Sequence, residues 1–112
     1  KNFQNLKILK IPYKSKKVMH AYHLYTILIN FKKINITKNN FMKLLAENGV
    51  GSQVLYIPVF LQPYYKKKYN YKAQNFPQSM NYYEQALSIP VFHGLSKTEQ
   101  TFVIKKIKAL LS

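Results

Sequence analysis

Proline divides this chain more sharply than any other residue type. Three of its five prolines, Pro58, Pro63 and Pro77, fall in one stretch of a sequence of 112 residues. Proline has no backbone N–H and a fixed φ, so neither a central strand nor a long helix can run through such a stretch. Regular structure is confined to either side of it. The middle is expected to be a loop with short turns, and long loops in compact domains often carry function. The length allows one domain with one modest core.

Upstream of the prolines, Lys1–Lys17 is polar and basic and reads as a lead-in segment. Tyr22–Ile29 is rich in β-formers and reads as a buried strand, followed by a polar turn over Phe31–Ile36. Thr37 is placed as an N-cap, Phe41, Leu44 and Leu45 recur at helical spacing, and Asn48-Gly49 supplies a stop. This predicts a helix over residues 38–48. Ser52–Tyr56 reads as a second strand that Pro58 ends.

Downstream, Pro77 suits the first turn of a helix over residues 77–86, with Asn75 as a cap candidate and Tyr82, Tyr83, Ala86 and Leu87 as its apolar face. Ser88–Val91 is a brief extended piece. Ser96 and Glu99 form an S-x-x-E capping box. Behind it, Phe102, Val103, Ile107, Leu110 and Leu111 make one stripe of a final helix. The stripe is a core face, with Lys105, Lys106 and Lys108 on the solvated side. The fold class is therefore α+β: a small, antiparallel sheet with about three helices covering one face.

The net charge of +15 arises from 18 lysines against Glu47, Glu84 and Glu99. Cysteine is absent, which excludes disulfides, thiolate metal sites and a cysteine nucleophile. Three scattered glutamates cannot supply a carboxylate cluster for a metal. His20 and His23 form an H-x-x-H, but residues three apart on a strand face opposite sides and no carboxylate accompanies them. The apolar stretches at 21–29 and 54–61 fall well short of the ~20 residues of a membrane span. Lys1–Lys10 shows no signal-peptide pattern. The chain begins with Lys1, not Met, which reads as a cloning boundary or as the edge of an excised piece of something longer.

The run Tyr64-Tyr65-Lys66-Lys67-Lys68-Tyr69-Asn70-Tyr71-Lys72 combines cations with stacking rings, as single-stranded nucleic acid requires. Two observations count against it. Arginine is absent, and Lys, Asn, Ile, Tyr and Phe are abundant throughout, as in proteins from AT-rich genomes. A basic binding module for nucleic acid or an acidic partner is the alternative reading of the chain.

Several stretches match one family in order and spacing. Residues 49–65, GVGSQVLYIPVFLQPYY, are similar to the pattern GIGTQVHYIPVHLQPYY of the DegT-type sugar aminotransferases, which use pyridoxal phosphate (PLP). Phe76-Pro77, the run Tyr82 to Pro90 and the run Gly94 to Gln100 resemble the FP…YYEQALSLPLFPGLTEEEQ that follows in that family. Ala21-Tyr22-His23-Leu24-Tyr25 resembles its A-x-H-L-Y strand. The resemblance covers residues 18–111, and among subfamilies it is greatest to the enzymes that aminate a UDP-linked 4-keto sugar on the route to pseudaminic acid.

The resemblance implies the C-terminal small domain of such an enzyme. It implies a large domain upstream that carries PLP and its Schiff-base lysine, a sugar-nucleotide substrate, a homodimer when intact, and a cytoplasmic, bacterial setting. None of the lysines here is expected to be the catalytic one, and no activity is expected of this chain alone. The matching loop offers Tyr56, Phe60, Gln62, Tyr64 and Tyr65 as substrate contacts: Tyr and Gln as hydrogen-bonding groups and Phe60 as a packing surface. The family often has His at the positions of Leu55 and Phe60, so a donor is lost at each. His93 stands where Pro is common.

Overall fold

A computed structural model describes residue 3 and residues 6–111. Lys1, Asn2, Gln4 and Asn5 of the lead-in segment, and Ser112, lie outside the described residues. The organising element is strand β2, Tyr25–Ile29, at the centre of a three-stranded antiparallel sheet of order β1-β2-β3. Strand β1 is Leu9–Lys10 and strand β3 is Ala86–Ile89. The register sets Leu9 opposite Ile29 and Ile27 opposite Leu87. Alternation along the strands then sends Leu9, Ile27, Ile29 and Leu87 to one face. All four are buried there.

Helices α1 (Lys38–Glu47) and α4 (Lys97–Leu111) cover that face. They contribute Phe41 and Leu45, and Val103, Ile107 and Leu111, to the same cluster. Each fully buried aliphatic or aromatic side chain of this kind contributes about 1.5–3 kcal/mol. Both helices begin as their sequences dictate. The Thr37 hydroxyl accepts from the Asn40 N–H. Glu99 and Ser96 bond reciprocally, the carboxylate accepting from the Ser96 N–H and hydroxyl while that hydroxyl accepts from the Glu99 N–H. Gly49, at φ 77°, ends α1. The Lys106 ammonium then reaches Asn48 Oδ1 at 3.0 Å and ties the two helices together.

Several expectations are corrected. Tyr22 has a left-handed φ of 46° and stacks on His20, so β2 starts at Tyr25. Residues Phe31–Lys33 form a 3₁₀ turn that buries Phe31 against the edge of Phe41. The Ser52–Tyr56 segment is not a strand. It makes one bridge, Gln53 to Ser88, because β3 is only four residues long between a helix end and Pro90. The proline stretch holds a helix, α2 (Pro63–Tyr69), between 3₁₀ turns at Val59–Leu61 and Ala73–Asn75. Pro63 opens this helix as an N1 residue, and left-handed Asn70 ends it. Among the described residues there are four α-helices, including α3 at Pro77–Gln85. Asn75 does not cap α3. Its side chain accepts from the Lys72 N–H and closes the preceding turn. Ala86 and Leu87 belong to β3, not to the apolar face of α3.

Candidate functional site

Strand β3 is buried on both faces, and this creates the site. Leu87 points into the core, while Ala86 and Ser88 on the opposite face are also closed off from solvent. Gln53 exchanges two backbone hydrogen bonds with Ser88, at 3.0 and 2.9 Å, which anchors the start of a strap running over residues 53–60. Beneath it, the Thr26 and Ser88 hydroxyls pair at 2.9 Å. Beyond Gln53 the strap departs from the sheet. The Leu55–Tyr56 peptide is cis, and the 3₁₀ turn at Val59–Leu61 brings the chain to α2.

Strap and α3 are the walls of an open groove of about 550 Å³. Leu55, Tyr56 and Phe60 line one side, and Ser79, Tyr82 and Tyr83 the other. Tyr56 is 79% exposed and stands at the mouth. Phe60 is 8% exposed, its ring stacked on Phe76 at 4.4 Å and 16°. Gln62 donates from Nε2 to the Ile57 carbonyl at 3.3 Å, which braces the turn of the strap. Of the five residues the sequence singled out, Tyr56 and Phe60 share the groove and Gln62 supports it. Tyr64 and Tyr65 lie outside it, on α2. Sequence reading assigned Tyr82 and Tyr83 to a core-facing stripe. The FP…YYEQAL match was the signal that could have placed them at the site, because it puts both tyrosines in the family pattern.

Lys38 backs the α3 wall. Its ammonium donates to the Tyr83 carbonyl and lies 4.2 Å from the Tyr83 ring centroid. Burial holds this ammonium below the usual lysine range, and Glu84 partly opposes the shift. Glu84 itself pairs with Lys32 at 3.5 Å. The groove combines aromatic and aliphatic side chains with the polar groups of Gln78, Ser79 and the tyrosines, and is lined by neither lysine nor carboxylate. PLP requires a free lysine amine, donors for its phosphate and a partner for its pyridine nitrogen. The groove lining, which has no lysine, does not supply that set. The described residues also hold no group of three or more His, Cys, Asp or Glu that could bind a metal. No helix among them is long and apolar enough to cross a membrane.

The model of the DegT/DnrJ/EryC1/StrS aminotransferase family matches residues 1–108. The chain is 34% identical over 110 residues to the spore coat polysaccharide biosynthesis protein SpsC of Bacillus subtilis, covering 97% of this chain and 28% of that protein. It is equally similar, at 34%, to the uncharacterised protein MJ1066 of Methanocaldococcus jannaschii, covering 98% of this chain and 28% of that one. Among solved structures, PseC of Helicobacter pylori, an aminotransferase involved in pseudaminic acid biosynthesis, superposes with a TM-score of 0.87 at 19% identity. That match covers 98% of this chain and 29% of PseC. The PLP form of the sugar aminotransferase Spr1654 from Streptococcus pneumoniae superposes at 0.85 with 23% identity, covering 98% and 28%. At these identities the likeness establishes the fold. The chain spans a little over a quarter of the length of these relatives.

Proposed function

The chain belongs to the DegT/DnrJ/EryC1/StrS aminotransferase family, and on that premise we propose that it is the C-terminal small domain of a longer PLP-dependent enzyme. The proposed reaction is amino transfer from glutamate to a nucleotide-linked keto sugar of the UDP-4-keto-6-deoxy-HexNAc type. Residues 1–112 form that one domain. PLP and its lysine belong upstream, on the large domain, and the intact enzyme is proposed to be a cytoplasmic homodimer.

The observation that carries this reading is the groove built on the family's own motif. Tyr56 and Phe60 from the matching loop face Tyr82 and Tyr83 from the matching helix across one opening. Tyrosine rings offer an apolar face to a sugar and a hydroxyl to its oxygens. In this reading Tyr56 hydrogen-bonds the sugar or nucleotide, Phe60 packs beneath it, and Gln62 fixes the loop. Apolar Leu55 and Phe60, in place of the usual histidines, leave Ser79 and the tyrosines to supply the polar contacts.

Two further observations support a part rather than a whole. The radius of gyration is 15.7 Å, whereas an independent domain of this length has one of about 13 Å. Apolar side chains also stand bare, with Met19 99% and Val59 59% exposed. They suit contact with the proposed large domain. The test is the full-length protein that contains this sequence, supplied with the UDP-linked keto sugar and glutamate, with product followed by mass. Aminated sugar is expected, and Tyr56→Ala should lower kcat/KM about tenfold through the lost hydrogen bond. Absence of product from every nucleotide-linked keto sugar tried would overturn the reading.

A further inference from the structure

Tyr64 and Tyr65, which the groove leaves out, belong to a second surface. Six rings run in unbroken contact from α2 back to the strap. Tyr64 meets Tyr65 at 5.2 Å, and Tyr65 meets Tyr69 at 6.3 Å and 16°. Tyr69 meets Tyr71 at 5.2 Å and 21°, and Tyr71 meets Phe76 edge-on at 5.3 Å. Phe76 stacks on buried Phe60, which anchors the row. The outer rings of Tyr64, Tyr65 and Tyr69 are exposed.

Cations are interleaved with these rings. Lys66, Lys67, Lys68 and Lys72 are all exposed, and none of the three glutamates of the chain lies between Pro63 and Phe76. Lys68 is held in a specific place. Its ammonium donates to the Tyr64 hydroxyl at 3.2 Å and sits 5.4 Å from the ring centroids of both Tyr64 and Tyr69. A positive charge fixed between two stacking platforms matches the order base, phosphate, base along a single strand. One nucleotide would use one or two rings and one or two cations, and this row offers more of both.

We propose that the α2 face, Tyr64 to Lys72, is a binding site for single-stranded nucleic acid. Bases stack on Tyr64, Tyr65 and Tyr69, while Lys68 and its neighbours neutralise the phosphates between them. Lysine without arginine suits contact with phosphates and not reading of base edges, so binding is tolerant of sequence. The row meets the groove only at Phe60, and the proposal does not depend on the aminotransferase reading.

The experiment is fluorescence anisotropy of a labelled twelve-nucleotide dT strand titrated with the full-length protein that contains this sequence. Four phosphate contacts should weaken binding about 50-fold between 50 and 200 mM salt. Tyr69→Ala and, separately, Tyr64→Ala should each weaken it about 5- to 160-fold. Tyr69→Phe keeps the ring and should bind as the parent does. Circular dichroism of each variant confirms that it folds. Three results would each overturn the proposal. One is no binding at concentrations up to about 100 µM in low salt. Another is equal affinity for the duplex form of the strand, which would mean charge alone. The third is displacement by UDP at equal nucleotide concentration, which would mean a mononucleotide pocket.

Discussion

Replacing Phe60 by Ala tests whether the strap is held to α3 as the structure describes. Phe60 is 8% exposed and stacks on Phe76 at 4.4 Å, yet it lies outside the main core cluster and borders an open groove. Core Phe→Ala changes cost about 3–5 kcal/mol, and the stacked ring accounts for about 0.5–1.5 kcal/mol of that. Water can enter the space beside the groove, so the low end applies, at about 3 kcal/mol. With a total stability of about 5–15 kcal/mol, that is a large fraction. In urea unfolding with a slope of about 1.5 kcal/mol/M, the midpoint should fall by roughly 2 M. Hydrogen exchange should rise first in residues 55–76. Phe60→His, which restores the family's common residue, keeps a flat ring over Phe76 and should cost about half as much. A Phe60→Ala protein within about 0.5 kcal/mol of the parent would refute the packing and, with it, the groove wall.

Thr26 and Ser88 share one hydroxyl pair over a buried strand, so Thr26→Val should cost about 1–3 kcal/mol by stranding the Ser88 hydroxyl. Adding Ser88→Ala should recover part of that loss, and strict additivity in denaturation would show that the pair is not coupled. Ile107 is fully buried on α4, so Ile107→Ala should cost about 2–5 kcal/mol, while exposed Lys105→Ala should change stability by under about 0.5 kcal/mol. Equal effects in thermal melts would mean that the α4 stripe is misassigned. Burial, with help from Tyr22, raises the Tyr25 hydroxyl above the ordinary tyrosine value, so the folded state holds this proton more tightly. That contribution is complete below about pH 10 and is lost as pH rises through the folded-state value. Tyr25→Phe should therefore lose less stability than the parent above that pH in urea titrations, and identical alkaline profiles would refute the assignment.

Elements whose signal is local were legible in the sequence. Thr37 with Asn48-Gly49, and Ser96 with Glu99, fix helix ends through bonds within one turn. Of the stripe Phe102, Val103, Ile107, Leu110 and Leu111, helical spacing alone places Val103, Ile107 and Leu111 in the core, while Leu110 is half-buried and Phe102 is exposed. Elements that depend on partners were not. Ser52–Tyr56 has strand composition, but the edge of β3 offers it a single pairing at Ser88. Leu9–Lys10 has no strand signal of its own and is extended because Ile29 and Leu28 stand opposite. Pro63 is ambiguous on the page: as a breaker it argues for a loop, and as an N1 residue it starts α2. The same limit applied at the site. The motif placed Tyr56, Phe60 and Gln62 near one another, but the Tyr82 and Tyr83 wall and the row of rings on α2 exist only once the chain has turned back on itself.

The central claim is that this chain is one domain of a PLP enzyme, and one measurement bears on it most directly. The native protein, captured from its source cells with an antibody to this sequence, should be weighed and its absorption spectrum recorded. The account predicts a polypeptide several-fold heavier than 13.2 kDa with PLP bound. A 13.2 kDa product without cofactor would contradict it.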